Sequence, residues 1–309
     1  MTGTSLETDR QQLAFVHIGH HKCGSSYFQI EVIPKIHALH QPEWLPGGTS
    51  SIHRQLMYLI RCDDLYFDLE QCREDLLSRM DGVNCLSHEG FCGHGTLEVG
   101  AGAHVAQVAR RLRAIFGPTR VLIVIRNQKT MLPSFYKDDI KFGYACGYDT
   151  WIQRRLLYCQ LNGFRYFPMI DTYIQEFGKQ NVKVHLFEEL FRRETIARIL
   201  EEMEIDAAGI DDIDFGRRQN VAYSKLSLRA ALFLNQHFGS KVNARPGRVY
   251  RMFRRSGSRR LDVLSQRLGI GPPRLSFPGY DEILHDLYHE DNARVSEAIG
   301  RDLHAAGYV

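Results

Sequence analysis

The chain has 309 residues, of which 44% are hydrophobic and 24% are charged, and its formal net charge is +3. This composition is typical of globular proteins, and the charge is well below that of nucleic-acid-binding domains. The seven cysteines include no Cys-x-x-Cys pair, and no window approaches the roughly 18 apolar residues of a membrane span. The first twelve residues are polar and contain no apolar signal core. We therefore expect reduced thiols, a cytoplasmic location and a disordered leader over residues 1–12.

Short apolar segments alternate with segments of helical periodicity along most of the chain. Strands are predicted at 14–18, 83–87, 121–125 and 182–187. Helices are predicted at 25–40, 51–80 with a break near residues 63–64, 103–116, 129–142, 149–161, 168–177, 188–203, 224–238 and 280–304. This alternation predicts a three-layer α/β/α fold with a central, mostly parallel sheet, in one domain over residues 13–309. Ligands bind such sheets at the carboxyl ends of the strands.

The first predicted strand runs into a glycine-bounded turn, Gly-His-His-Lys-Cys-Gly-Ser-Ser from Gly19 to Ser26. A strand, such a turn and a helix start direct backbone N–H groups towards one point, and Lys22 adds a full positive charge. The turn therefore predicts a site for a phosphate-bearing donor.

The spacing of Gly19 and Gly24 matches the nucleotide triphosphatase P-loop, but the lysine does not. Ser25 stands where that motif has its lysine, and Lys22 lies two positions before the second glycine. We also find no acidic pair after a strand that would hold magnesium. A small-molecule kinase of the P-loop type is therefore the weaker alternative, and a non-catalytic module that binds anions or membranes is another.

The segment from Ile18 to Gln29 resembles the 5′-phosphosulfate loop of sulfotransferases that use 3′-phosphoadenosine-5′-phosphosulfate (PAPS). It is most similar to the bacterial and carbohydrate-type branch, with its pattern H-I-G-x-H-K-T-G-T-T. A second segment, from Ile125 to Tyr136, resembles the R-N-P-x-x-x-x-x-S-x-Y pattern of the 3′-phosphate site. The resemblance implies a P-loop-like fold and metal-free transfer of a sulfuryl group to a hydroxyl or amine, with 3′-phosphoadenosine-5′-phosphate (PAP) as product.

The resemblance also implies roles for individual residues. The residues implied to bind the 5′-phosphosulfate are His21, Lys22, Cys23, Gly24, Ser25 and Ser26, with Lys22 stabilising the leaving phosphate. Arg126 and Ser134 would bind the 3′-phosphate, and Arg218 or Asn220 would close over it. Cys23 departs from the pattern, because it replaces a threonine or serine and so removes a hydroxyl.

A general base must take the proton of the acceptor hydroxyl and should lie at a strand end, across from Lys22. Glu89 and His88 follow the strand at 83–87, and His20 follows the first strand. We slightly prefer Glu89, with His88 and His20 as alternatives. The acceptor can be a small molecule, a glycan or a lipid.

The segment from Arg245 to Arg260 holds seven arginines and precedes a helical C-terminal region. Such a segment is more often a solvated face than a site. It could also contact an anionic surface at the periphery of a membrane, and the mild net charge gives no reason to expect a nucleic-acid partner.

Overall fold

The computed structural model describes residues 13–42, 51–93, 102–216, 223–238, 257–273 and 275–309. The leader predicted for residues 1–12 and most of the arginine-rich segment lie outside these residues. The backbone divides into two compact units. Unit 1 comprises Met1–Asn127, Gln160–Arg217 and Leu287–Val309, and unit 2 comprises Gln128–Cys159 and Arg218–Asp286. The single domain expected over 13–309 stays a prediction.

A four-stranded parallel sheet forms the centre of unit 1. Its strands are β1 (Phe15–Gly19), β2 (Cys85–Ser87), β3 (Arg120–Ile125) and β4 (Val182–Leu186). They are ordered β2-β1-β3-β4, with Phe15 opposite both Cys85 and Arg120 and with Val121 opposite Val182. Because the strands are parallel, the carboxyl ends of the two inner strands, β1 and β3, lie at the same edge of the sheet. The α/β fold with a parallel sheet flanked by helices is confirmed.

The strands are recognisable in the sequence because both of their faces are buried. All five residues of β1 are buried, and Val121–Ile125 of β3 are fully inaccessible. A parallel sheet covered by helices on both faces needs such continuous apolar segments instead of an alternating pattern.

Eleven α-helices surround or follow the strands in the described part of the chain. They are α1 (Ser25–Tyr27), α2 (Ser51–Arg61), α3 (Leu69–Leu77), α4 (Val105–Phe116), α5 (Gln128–Phe142), α6 (Tyr148–Leu157), α7 (Phe167–Phe177), α8 (Arg193–Glu202), α9 (Lys225–His237), α10 (Ser258–Arg267) and α11 (Tyr280–Ile299). Helices α5, α6, α9 and α10 belong to unit 2, and α11 contributes residues to both units. No described helix is both long and apolar enough to span a bilayer.

The helix predicted for residues 25–40 is much shorter in the structure. After α1, the backbone widens to a π-type turn over Phe28–Val32 and tightens to a 3₁₀ turn over Ile33–Lys35. Pro34 has no N–H to donate, and its ring disfavours a regular helix in the preceding turn. The helical segment therefore ends at Lys35.

Four other predicted helices are divided or shortened, and those at 149–161 and 280–304 end at Leu157 and Ile299. The segment 51–80 forms α2 and α3, and the Asp68 side chain caps α3 by accepting the Gln71 N–H at 2.9 Å. The break expected near residues 63–64 is thereby confirmed. The helix predicted at 188–203 begins only at Arg193, because Phe187–Glu189 form a 3₁₀ turn directly after β4.

Unit 2 is a helical unit with a polar interior contact. Asp139 of α5 is buried and accepts hydrogen bonds from Trp151 Nε1 and Arg155 Nη2, both at 2.7 Å. Burial raises the pKa of the Asp139 carboxyl, although the Arg155 charge and these two bonds oppose the rise. Helix α9 packs against both α5 and α10. Helix α10 was not among the predicted elements.

Candidate functional site

The turn after β1 adopts a backbone that few residues tolerate. Lys22 has a φ of 67° and Gly24 has a φ of 87°, so both lie in the left-handed region. The Cys23 N–H closes the turn on the His20 carbonyl at 3.0 Å. A Cβ atom on Gly24 would lie 2.7 Å from Leu190 Cδ2. Glycine is therefore required at position 24 by its dihedral angles and by the close approach of Leu190.

A buried serine hydroxyl lies at the start of α1. A Cβ atom on Gly19 would lie 2.0 Å from Ser25 Oγ, so the glycine is what allows the hydroxyl to rest against the end of β1. Ser25 Oγ has no hydrogen-bond partner in the described part of the chain. An unpaired buried hydroxyl costs about 1–3 kcal/mol, and a ligand oxygen would relieve that cost. Ser25 therefore fits a site for an oxyanion.

Lys22 and Ser26 are half-buried in the same turn, and Cys23 is fully buried. Burial raises the pKa of the Cys23 thiol well above its ordinary value, although the Arg126 charge opposes the rise. Cys23 is therefore an uncharged thiol that contributes its backbone to the turn.

The loop is joined to the end of β2 by a pair of side chains. His21 Nδ1 lies 2.7 Å from Glu89 Oε2, and the two side chains are 25% and 33% exposed. Burial by itself would raise the pKa of Glu89. The His21 hydrogen bond and the nearby His21, Lys22 and His88 outweigh burial, and the pKa falls below 4.5. Glu89 is therefore a half-exposed carboxylate at neutral pH.

The two histidines considered as bases have different surroundings. The His20 Nε2–H donates to the Gly163 carbonyl at 2.9 Å, and its ring is 1% exposed. Burial is the main cause that lowers the pKa of His20 to about 4, so the ring is neutral. His88 Nδ1 accepts the Gly90 N–H at 2.9 Å, and its ring lies 5.6 Å from the ring of His53.

Arg126 connects the end of β3 to the loop. Its Nη1 donates to the Lys22 carbonyl at 2.8 Å, and its guanidinium lies 4.2 Å from the centre of the Phe187 ring. The next residue is also fixed, because the Asn127 N–H donates to Glu188 Oε1 at 3.0 Å. Arg126 thus fixes the backbone carbonyl of Lys22.

The structure brings together most of the predicted residues. His20, His21, Lys22, Glu89 and Arg126 all belong to unit 1 and are linked by the contacts above. Ser134 is half-buried on α5 in unit 2. Arg218 and Asn220 lie outside the described residues. Among the described residues, no group of His, Cys, Asp or Glu side chains has the geometry of a metal site.

A solved structure shares this architecture. The crystal structure of a sulfotransferase from Alicyclobacillus acidocaldarius matches with a TM-score of 0.52 over 95% of this chain and 98% of that chain. The chain has a sulfotransferase fold. The sequences are 16% identical, so the likeness concerns the sulfotransferase fold alone. No protein-family model and no curated protein matches the chain.

Several residues that support the loop were not singled out from the sequence. Gln29 Nε2 donates to the Ser87 carbonyl at 2.8 Å, and Tyr166 Oη donates to the Arg126 carbonyl at 2.6 Å. These contacts, like the Gly163 carbonyl on His20, join residues far apart in the chain. The sequence gives only a weak signal for them: Gln29 lies shortly after the loop, and Ser87 and Arg126 lie at the ends of predicted strands.

Proposed function

We propose that the chain is a sulfotransferase that moves a sulfuryl group from PAPS to a hydroxyl or amine of a small-molecule, glycan or lipid acceptor. The observation that carries the proposal is the loop between Gly19 and Ser25, within a sulfotransferase fold. In this loop the Lys22 backbone has a left-handed conformation and Gly24 packs closely against Leu190. The buried Ser25 hydroxyl has no hydrogen-bond partner among the described residues. Such a loop fits an oxyanion that brings its own acceptor atoms.

The donor carries phosphate at two positions, and the proposal assigns residues to each. His21, Lys22, Cys23, Gly24, Ser25 and Ser26 would hold the 5′-phosphosulfate. Arg126 would hold the 3′-phosphate together with Ser134, and Arg218 or Asn220 would cover the nucleotide. Arg126 Nη1 donates to the Lys22 carbonyl, which supports the proposal by holding the guanidinium beside the loop.

The proposed reaction resembles phosphoryl transfer in its physical demands. An acceptor oxygen forms a bond to sulfur while the bond from sulfur to the bridging phosphate oxygen breaks, and the electron pair stays on the phosphate. Charge grows on that phosphate oxygen, so a lysine directed at it stabilises the transition state more than the ground state. The acceptor's proton passes to a protein base.

Glu89 is the residue we propose for that base. It is charged at neutral pH, one third exposed and held in orientation by His21. His20 is less suited because its ring is almost inaccessible, and His88 has one ring nitrogen engaged by the Gly90 N–H. An orienting partner on a base is a common feature of acid–base sites.

The experiment uses the full chain and a Lys22→Ala variant, with Lys35→Ala as the control because Lys35 is exposed on a different segment. Acceptors are screened with labelled PAPS. We expect Lys22→Ala to lower turnover about 10²–10³-fold, as the loss of one group that stabilises developing charge does. Lys35→Ala should behave like the wild type.

A binding measurement separates this proposal from the kinase alternative. PAP should raise the melting temperature of the wild-type chain, and ATP with magnesium should raise it less. A larger shift with ATP and magnesium, or labelled product that is independent of Lys22, would contradict the proposed function.

A further inference from the structure

The two units differ strongly in charge. Unit 2 has 18 lysines and arginines against seven aspartates and glutamates, whereas unit 1 has 21 against 29. The excess is greatest between Phe215 and Tyr280, where 14 basic residues accompany one acidic residue, Asp262. Asp262 is already engaged, because it accepts hydrogen bonds from the Ser224 N–H and the Ser227 hydroxyl. Unit 2 therefore carries an excess of 11 positive charges, which favours anionic partners.

Helix α10 turns an amphipathic face towards solvent. Five of its exposed positions follow the spacing i, i+3, i+4, i+7, i+8, which in globular proteins normally faces a core. They are Arg260, Val263, Leu264, Arg267 and Leu268, the last directly after the helix. The three aliphatic side chains are 44%, 43% and 61% exposed. We call these five residues the α10 stripe.

The buried side of α10 explains why the stripe points outwards. Ser265 is 1% exposed, and its hydroxyl donates to Ser224 Oγ at 2.9 Å. Since Ser224 caps the start of α9, this contact and the Asp262 bonds fix the polar face of α10 against α9. The helix thus packs Ser265 and Asp262 against α9 and leaves Val263, Leu264 and Leu268 exposed among arginines.

Helix α9 continues the same combination of cations and apolar side chains. Lys225, Arg229 and Phe233 follow each other at intervals of four residues and so share one side of the helix. Lys225 and Arg229 are exposed, and neither forms an ion pair within the described ranges. Phe233 is 56% exposed and Phe238 is 46% exposed, with ring centres 6.2 Å apart.

A cavity of about 550 Å³ opens beside these side chains. Its lining combines the two cations with apolar groups and consists of Lys225, Leu228, Arg229, Ile270, Pro272 and Leu275, together with neighbouring residues. Two cations beside aliphatic side chains suit a ligand with a phosphate head and a hydrocarbon body.

We propose that α9 and α10 form a docking surface for a bilayer that contains anionic phospholipid. The cations meet the lipid phosphates, and the aliphatic and aromatic side chains enter the boundary between head groups and acyl chains. A nucleic acid or sulfated glycan would satisfy the cations but leave the α10 stripe exposed to water. A second copy of the chain that used the same surface would cover the stripe but would bring cations against cations. Charge complementarity therefore selects the bilayer.

This inference is independent of the proposed transfer reaction. The composition of residues 239–256 agrees with it, since they contain six cations and no acidic residue, although they lie outside the described part of the chain. The surface itself is defined by described residues only.

The test is co-sedimentation of the full chain with vesicles of phosphatidylcholine that contain about one third phosphatidylserine, and with vesicles of phosphatidylcholine alone. We expect binding to the first, weakened by salt, and little binding to the second. Each cation near an anionic surface contributes about fivefold to binding. The double variant Arg260→Gln, Arg267→Gln should therefore bind roughly 25-fold more weakly. Lys35→Gln, Lys179→Gln is the matched control in unit 1, because both lysines are exposed.

The apolar part of the surface is tested separately. Leu264→Ser, Leu268→Ser should weaken vesicle binding, whereas Leu65→Ser should not, because Leu65 is 77% exposed but belongs to unit 1. A tryptophan reporter checks insertion: the Leu268→Trp variant should show a blue-shifted emission with the anionic vesicles, and Leu65→Trp should not.

Three results would overturn the proposal. They are absence of binding to the anionic vesicles, undiminished binding of the arginine variant, and undiminished binding of the leucine variant. If the chain also bound heparin with the same salt dependence and the leucine variant kept all binding, the surface would be a site for soluble polyanions instead.

Discussion

The contact between His21 and Glu89 sets the charge of the proposed base. The pKa of Glu89 lies below 4.5 because His21, Lys22 and His88 together outweigh the effect of burial. The carboxylate therefore stays charged until the pH is strongly acidic. A histidine base of ordinary pKa, near 6.5, would instead lose activity as the pH falls through that value.

This difference gives a pH prediction. With saturating donor, kcat should stay level from pH 8 to about pH 5 and fall only below the pKa of Glu89, because the charged form is the active one. Glu89→Gln should lower kcat about 10²–10⁴-fold at pH 7. His20 has a pKa near 4, so His20→Asn is needed as the control and should retain most activity. A kcat profile that already falls between pH 8 and pH 5 would contradict Glu89 as the base.

Gly24 provides a prediction on stability. Gly24→Ala forces alanine into a φ of 87° and brings its Cβ to 2.7 Å from Leu190 Cδ2. We expect a loss of about 2–4 kcal/mol in the free energy of unfolding, measured by urea denaturation. Gly82→Ala is a matched control, because Gly82 has a φ of 70° but no atom within 4 Å of the added Cβ. That variant should lose only about 1–2 kcal/mol.

The comparison between these two variants isolates the packing contact from the backbone strain. Leu190 is fully buried, so Leu190→Ala has a cost of its own, but the double variant Gly24→Ala, Leu190→Ala should lose less than the sum of the two single losses, since the clashing atom is gone. Equal losses for Gly24→Ala and Gly82→Ala would show that Leu190 does not restrict the loop.

At the residue scale, the sequence indicated those positions whose chemistry is local. Gly19, Lys22 and Ser25 stand within seven residues, and their types already predict a turn that binds an oxyanion. The partner of His21 could not be predicted, because Glu89 is 68 positions away and only the parallel pairing of β1 with β2 brings the two together. Ser134, Arg218 and Asn220 stay predictions.

At the scale of elements, the start of α7 depends on a carboxylate from another helix. Asp291 of α11 accepts the Tyr166 and Phe167 N–H groups at 2.7 Å and 3.2 Å, both on Oδ2. Burial raises the pKa of Asp291, although the two backbone bonds oppose the rise. Because the folded carboxyl holds its proton more tightly than the unfolded one, its contribution to stability decreases as the pH rises between the two pKa values.

This arrangement predicts different outcomes for two substitutions. Asp291→Asn keeps one oxygen for both N–H groups and removes the buried charge, so the free energy of unfolding at pH 7 should change by less than about 1 kcal/mol. Asp291→Ala leaves two buried N–H groups unpaired and should cost about 2–4 kcal/mol. Urea denaturation at pH 7 and pH 5 measures both. Equal losses for the two variants would show that charge, not the acceptor oxygen, stabilises this helix start.

The predicted elements were most accurate where the pattern was purely apolar. All four strands lie within a few residues of their predicted positions, since a buried parallel strand is a continuous apolar segment. The helix over 25–40 was overextended because apolar periodicity continues past Pro34, where the backbone cannot. Helix α10 was missed because its apolar stripe alternates with arginines and faces solvent, so no core explains its periodicity.

At the scale of the whole molecule, the charge is distributed unevenly between the units. A net charge of +3 conceals an excess of 11 positive charges in unit 2 and of eight negative charges in unit 1. Like charges concentrated in one compact unit repel one another and lower its stability. Composition alone could not reveal this, because the segments that form unit 2 are separated in the chain.

This repulsion predicts a stabilising effect of salt. Raising sodium chloride from about 0.05 M to 0.3 M should raise the melting temperature, because the shorter Debye length screens the repulsion among the cations. Arg260→Gln, Arg267→Gln should show a smaller rise. Differential scanning calorimetry measures both, and a melting temperature that falls with salt would contradict the electrostatic explanation.

The backbone of Lys22 is strained. A lysine held at a φ of 67° occupies a conformation that costs a residue with a Cβ about 1–2 kcal/mol, and Arg126 holds that conformation by binding the Lys22 carbonyl. A glycine at position 22 would relax the backbone while abolishing the ammonium group. Selection for stability alone would therefore favour glycine at position 22, which gives an inactive loop. Only selection for turnover retains the lysine. Stability and activity therefore favour different residues at position 22.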